Sequence, residues 1–115
     1  MNSIATITSN QGSLDGAVTQ KKMVIQGDQI KDLAKALASA TRQQILAFLK
    51  EEPLDVSTLA QKLNQTEANV SAQVQILQKA GLVTSTYRPG NHGVRKVCEP
   101  AIDVIEIVLH SNGEE

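Results

Sequence analysis

The sequence holds a single cysteine, Cys98, so no disulfide scaffold can form within one chain. Such sparse thiol use points to a reducing, intracellular compartment, the cytoplasm rather than the exterior. No stretch approaches the roughly 18 uninterrupted apolar residues of a spanning helix, so no membrane partner is expected. The first twenty residues lack the basic run and apolar centre of a signal peptide. Aromatics are nearly absent. Phe48 and Tyr87 are too few to build the stacking platforms that read single-stranded RNA. There is no nucleophile elbow, phosphate-binding loop or Gly-x-Gly-x-x-Gly turn, and His110 has no evident nucleophile beside it. No enzymatic activity is expected. A polybasic tail is excluded as well, because no basic block exists.

What is present is an ordinary balance for a globular chain of 115 residues: 41 % hydrophobic, 20 % charged, formal charge −1. That length suits one domain with a modest core. The charge is unevenly spread. No acid lies between Glu67 and Glu99, a stretch that carries Lys79, Arg88, Arg95 and Lys96. From Glu99 onward there are five acids and no Lys or Arg. A local positive face of this kind can select an anionic partner despite a near-neutral total; chance clustering of four cations is the plain alternative.

The pattern along the chain gives the organisation. Residues 1–20 are polar, interrupted by Gly12 and Gly16, and read as a weakly structured arm; a short strand around Ile4 and Ile7 is the alternative. Residues 21–26 are β-prone and closed by Gly27. Asp28 stands where an N-cap would, ahead of Ile30, Leu33, Ala34, Leu37 and Ala38 at helical spacing. Thr41 can cap a second helix that runs out before Pro53. Asp55 or Ser57 caps a third, short helix, and Asn64 follows where a left-handed residue is expected. Thr66 caps a fourth, whose Val70, Val74 and Leu77 form one stripe before Gly81 ends it. The period then changes. Residues 82–87 and 94–98 read as two strands around the turn chemistry of 88–93, and 102–109 is dense enough in Val and Ile to be a further strand.

Two helices joined by only Asn64-Gln65-Thr66 and followed by a β-hairpin have the spacing of a helix-turn-helix with a wing. The fold class expected is α+β, a winged helix-turn-helix flanked by N- and C-terminal strands. The domain would span 21–109, with 110–115 as a tail. Such a unit lays its second helix in the DNA major groove. Here that helix is 66–79 and the wing 82–98. Val70, Val74 and Leu77 would anchor the helix. Ala68, Asn69, Ser71, Ala72 and Gln75 lie away from the anchor, with Gln73 on its flank. Amides can pair with adenine, a hydroxyl with either partner, and an alanine methyl can touch thymine. Thr66 and the free amides of the first turn can hold a phosphate, and Glu67 can complement the helix dipole or accept from cytosine. A solvated surface helix is the plain reading of the same pattern.

Residues 36–87 carry "ALASATRQQIL", "VSTLAQKL" and "VSAQVQILQKAGLV" in order, and so resemble the winged helix-turn-helix of ArsR-type transcriptional regulators. The following "RPGNHGVRKVCEPAIDVIEIVL" is similar to a subgroup whose "PG..G..K.C" wing precedes an Asp-containing β segment. The resemblance covers about residues 28–109. It implies a homodimeric, repressor-like regulator on palindromic duplex DNA. It places Thr66, Asn69, Ser71, Ala72, Gln73 and Gln75 at the groove, and Arg88, His92, Arg95 and Lys96 on phosphate or the minor groove. Arg42 matches an arginine of the family motif, with a structural role or a phosphate contact. The Cys-x-Cys of the family's metal sensors is replaced by Asp55-Val56-Ser57, and Gln65 stands where an apolar residue is usual.

Other sites are weaker. His92, His110 and Cys98 share no metal-ligand spacing, and Asp103 and Glu106 read as solvated carboxylates rather than ligands shared across a dimer. No metal and no cofactor is expected. Cys98 is either a packing residue or, beside Arg95 and Lys96, a redox sensor. One short helix reads few base pairs, so a homodimer is expected, joined through the first helix or the terminal strands. The strands at 21–26 and 102–109 would pair with each other or between protomers. A small-molecule effector is a further conceivable partner. The competing function is a winged-helix protein-interaction module without DNA readout, which the −1 charge suits.

Overall fold

The structure is a computed structural model that describes residues 6–11 and 19–110. The chain divides into two compact units, residues 35–101 and residues 1–34 with 102–115, and the division falls inside the first helix. Among the described residues the elements run β1 (Thr6–Gln11), β2 (Thr19–Gln26), α1 (Asp28–Leu37), α2 (Ala40–Glu51), β3 (Leu54–Asp55), α3 (Val56–Leu63), α4 (Glu67–Lys79), β4 (Val83–Gly90), β5 (Gly93–Pro100) and β6 (Val104–Val108). The α+β class with a β-hairpin wing is the observed one.

In the unit of residues 35–101, three helices start on a side chain that accepts from a free first-turn amide. Ser39 Oγ accepts from Arg42 N at 3.2 Å, Asp55 Oδ1 from Thr58 N at 2.8 Å, and Thr66 Oγ1 from Asn69 N at 3.1 Å. Ser39, not Thr41, therefore caps α2. Both are hydroxyl residues, and a helix starting two residues earlier places Thr41 within its first turn. Asp55 rather than Ser57 caps α3. Asp28 is the first residue of α1 rather than its cap. Helices α3 and α4 end alike. Asn64 takes φ 57° and Gln65 N reaches back to Ala60 O; Gly81 takes φ 81° and Leu82 N reaches Leu77 O. Each left-handed residue turns the chain so that otherwise orphaned carbonyls are satisfied.

Ile45, Leu49, Leu59, Val70, Val74, Leu77 and Cys98 are the largest fully buried side chains. Burying each apolar side chain of the α4 ridge is worth roughly 1.5–3 kcal/mol, which fixes the rotation of that helix. The antiparallel sheet has the order β3-β5-β4. The hairpin ladder extends to Gly90 opposite Gly93, so the turn is only Asn91-His92, tighter than the six-residue turn expected.

The other unit holds a sheet of order β1-β2-β6. β1 runs antiparallel to β2, and β6 runs parallel to it, with Met23 opposite Ile105 and Ile25 opposite Ile107. The two flanking strands thus pair with each other within one chain. Asp103 secures the join: its Oδ2 accepts from Lys21 N at 2.8 Å while its own amide donates to Lys21 O at 2.8 Å. Lys22 Nζ meets Glu106 Oε1 at 3.0 Å. Within the expected arm of residues 1–20, Thr6–Gln11 is a paired strand and β2 begins at Thr19; the remainder of that expectation lies outside the described residues. No helix among the described residues is long and apolar enough to cross a membrane.

Candidate nucleic-acid interface

With Val70, Val74 and Leu77 turned inward, α4 has two polar flanks. One opens on a cleft of about 980 Å³ whose opposite wall is the wing. Glu67, Ala68, Ser71 and Gln75 line it from α4, and His92, Arg95 and Lys96 from the hairpin. The fold therefore brings together Ser71, Gln75, His92, Arg95 and Lys96 among the residues expected at the site. Thr66, Asn69, Ala72 and Arg88 are exposed but do not line the cleft. Asn69 is partly engaged, because its Nδ2 donates to Gln65 Oε1, and Gln65 Nε2 donates in turn to Thr41 Oγ1 at 3.3 Å. That chain of amides is what the unusual Gln65 does in the turn.

The other flank of α4 is closed. Arg42 donates from Nε to Ala36 O at 2.6 Å, from Nη2 to Lys35 O at 2.9 Å, and from Nη1 to Gln73 Oε1. It satisfies carbonyls at the end of α1, where a cation complements the helix dipole. This geometry gives Arg42 the structural one of its two expected roles, with each guanidinium nitrogen engaged. It sets Gln73, which the resemblance placed at the groove, half-buried against that arginine and outside the cleft lining.

Charge in the cleft is mixed. Arg95 Nε pairs with Asp55 Oδ2 at 2.8 Å, and the arginine side chain is half exposed. Asp55 also accepts from the Thr58 side chain and amide, and these bonds together with Arg95 hold its carboxyl below the usual value of 3.8 against the opposing effect of burial. Gly90 allows this reach. A Cβ there would come within 2.5 Å of Arg95 Cδ, so only glycine lets the stem of Arg95 lie across the hairpin. Arg88 and Arg95 are cross-strand partners, and drawing Arg95 towards Asp55 relieves that like-charge pair. Arg88 and Lys96 form no ion pair among the described residues.

Tyr87 was not among the residues expected at the site. It lines the cleft, is 70 % exposed, and stands opposite Lys96 in the ladder. Strand alternation could have found it, since Tyr87 and Pro89 share a face with Val94 and Lys96. Cys98 lies on the middle strand between Leu54 and Ser85 and is fully buried. Burial pushes its thiol up from the ordinary value, outweighing the Ser85 hydroxyl and the charge of Lys96. A protonated, enclosed thiol is a packing residue. Asp103 and Glu106 are engaged with Lys21 and Lys22, and no group of three or more metal-ligating side chains occurs among the described residues.

A capped helical pair with a left-handed turn, a second helix held by its apolar ridge and an adjoining two-stranded hairpin define a winged helix-turn-helix domain. Known proteins agree. The family described as "Helix-turn-helix domain" matches residues 37–86. The HTH-type transcriptional regulator NmtR of Mycobacterium tuberculosis is 36 % identical over 55 residues, 48 % of this chain and 46 % of NmtR, so the chain spans about half the length of that relative. Two solved structures of a Mycobacterium bovis fragment 1–100 have TM-scores of 0.57 at 32 % identity over 64 % of this chain. The match covers 65 % and 75 % of those two chains, and one of them is a homodimeric winged helix-turn-helix DNA-binding domain of a possible ArsR-family transcriptional regulator. HlyU from Vibrio cholerae follows at TM-score 0.53 and 27 % identity, over 64 % of this chain and 75 % of that one. The chain belongs to the ArsR-type winged helix-turn-helix family, without the Cys-x-Cys metal site at 55–57. That is a family of transcription regulators rather than of enzymes.

Proposed function

We propose that this chain is a sequence-selective duplex-DNA-binding transcription regulator of the cytoplasm, repressor-like and acting as a homodimer. The observation that carries the reading is the shared cleft: Ser71 and Gln75 of α4 face it from one side, His92 and Lys96 of the wing from the other. Ser71 and Gln75 would meet base edges, with Ala72 against a thymine methyl and Thr66 and Asn69 at the helix start. Lys96, Arg88 and His92 would lie on phosphate, while Arg95 would exchange Asp55 for phosphate on binding. Two such helices address two half-sites about one DNA turn apart.

The test is selection of bound duplexes from a random pool. Enrichment of an inverted repeat is the expected result; a pool that stays random overturns the reading. The second reading, a protein-docking module, draws on the acids Asp55 and Glu67 in the same cleft. A random pool together with a salt-insensitive protein partner would favour it.

A further inference from the structure

β6 forms one edge of the β1-β2-β6 sheet and bonds only to β2. Its outer side presents backbone N–H and C=O groups to no strand among the described residues. Natural sheets guard such an edge with lysine, proline, a bulge or an inward charge. Val104-Ile105-Glu106-Ile107-Val108 has one charge, and Lys22 already neutralises it at 3.0 Å. The register puts Ile105 and Ile107 on the same face as Met23 and Ile25. On the middle strand that face is buried, with Met23 4 % and Ile25 2 % exposed, but on β6 Ile107 is 46 % exposed, and Leu109, just past the strand's end, is 81 % exposed. The apolar face therefore runs out uncovered at this edge. β1, the other strand of the N-terminal segment, is paired on the far side of β2.

We infer that the outer edge of β6 is a dimer interface, on which the β6 strand of a second copy pairs antiparallel to join two three-stranded sheets into one. This rests on the homodimer of the proposed function and assigns it to an element outside the helix-turn-helix match at 37–86. The pairing is self-complementary in one register. With Ile107 opposite Ile107 of the partner subunit, Ile105 falls opposite Leu109 of the partner subunit and Glu106 opposite Val108 of the partner subunit. No carboxylate then directly faces another, and the exposed isoleucine and leucine are covered together.

Sedimentation equilibrium of the full chain tests it. The wild type is expected to be dimeric. Ile107→Lys combined with Leu109→Lys should raise the dimer dissociation constant about a hundredfold or more, with helical circular dichroism retained. An unchanged dissociation constant overturns the interface. Ile107→Cys gives a second readout that needs no loss of fold. Directly opposed antiparallel residues lie about 4.5–5.5 Å apart, within disulfide reach. Mild oxidation should therefore yield a covalent dimer, whereas wild type yields none because Cys98 is buried. A dimeric Ile107→Cys protein that does not cross-link overturns the pairing. A wild type that sediments as a monomer overturns this interface and the homodimer of the proposed function together; a dimer that survives the lysine variants overturns the interface alone.

Discussion

Gln73 and Gln75 stand two residues apart on α4 and lie in opposite surroundings. On one flank, Gln73 accepts from Arg42, which also fills two carbonyls at the end of α1, so the polar groups there are consumed inside the protein. On the other, Gln75 and Ser71 open on the cleft under the wing. The helix is polar on both flanks, so polarity does not separate the tied flank from the open one. The separation is made by whether a neighbouring element supplies a partner.

Substitutions can break that comparison or sharpen it. Leu77→Ala should have the largest effect, since it removes a fully buried part of the ridge on which both flanks depend. A stability loss of about 2–5 kcal/mol is expected by urea unfolding. Arg42→Ala should follow, at about 1.5–3 kcal/mol, because bonds from a charged donor are lost and helix-end carbonyls are stranded. If it instead left stability intact and flattened the salt dependence of DNA binding, the closed flank would be misassigned. Gln75→Ala should cost about 1–3 kcal/mol of discrimination between duplexes, measured by competition binding. Gln73→Ala should leave the preferred sequence unchanged. Lys96→Ala should lower the log–log salt slope by about 0.9 while weakening all duplexes alike.

The smallest effect is a pH dependence. Asp55 has a lowered folded value, so its contribution is fully present above 3.8, the ordinary carboxylate value, and fades as pH falls through the depressed folded one. The stability gap between wild type and Asp55→Asn should therefore be widest above 3.8 and narrow below it, as read from urea midpoints across that range.

What the sequence disclosed were the features whose causes are local. The ridge of Val70, Val74 and Leu77, the cap at Thr66 and the turns at Asn64 and Gly81 each depend on residues within a few positions, and periodicity and capping chemistry reveal them; at α3 they left Asp55 and Ser57 both open. Ser39 against Thr41 was decided by which of two equivalent hydroxyls the helix start reached. The closed flank was illegible because Arg42 and Gln73 are 31 residues apart. The strand within the arm was legible only as an alternative, around Ile4 and Ile7, for a similar reason. Polar residues 6–11 become a strand only because β2 offers a ladder at the matching register. Tyr87 was overlooked because one aromatic in a strand carries no period of its own.

The parallel pairing of β2 with β6 has a consequence for synthesis. Lys22 and Glu106 are 84 residues apart, so β2 leaves the ribosome long before the strand that flanks it exists. At roughly 5–20 residues per second the delay is about 4–17 s, during which the nascent chain holds Met23 and Ile25 on a strand open along one side. Crowded polysomes would offer that side the same strand from neighbouring chains. The yield of soluble protein should therefore depend on translation density as well as on the stability of the finished fold.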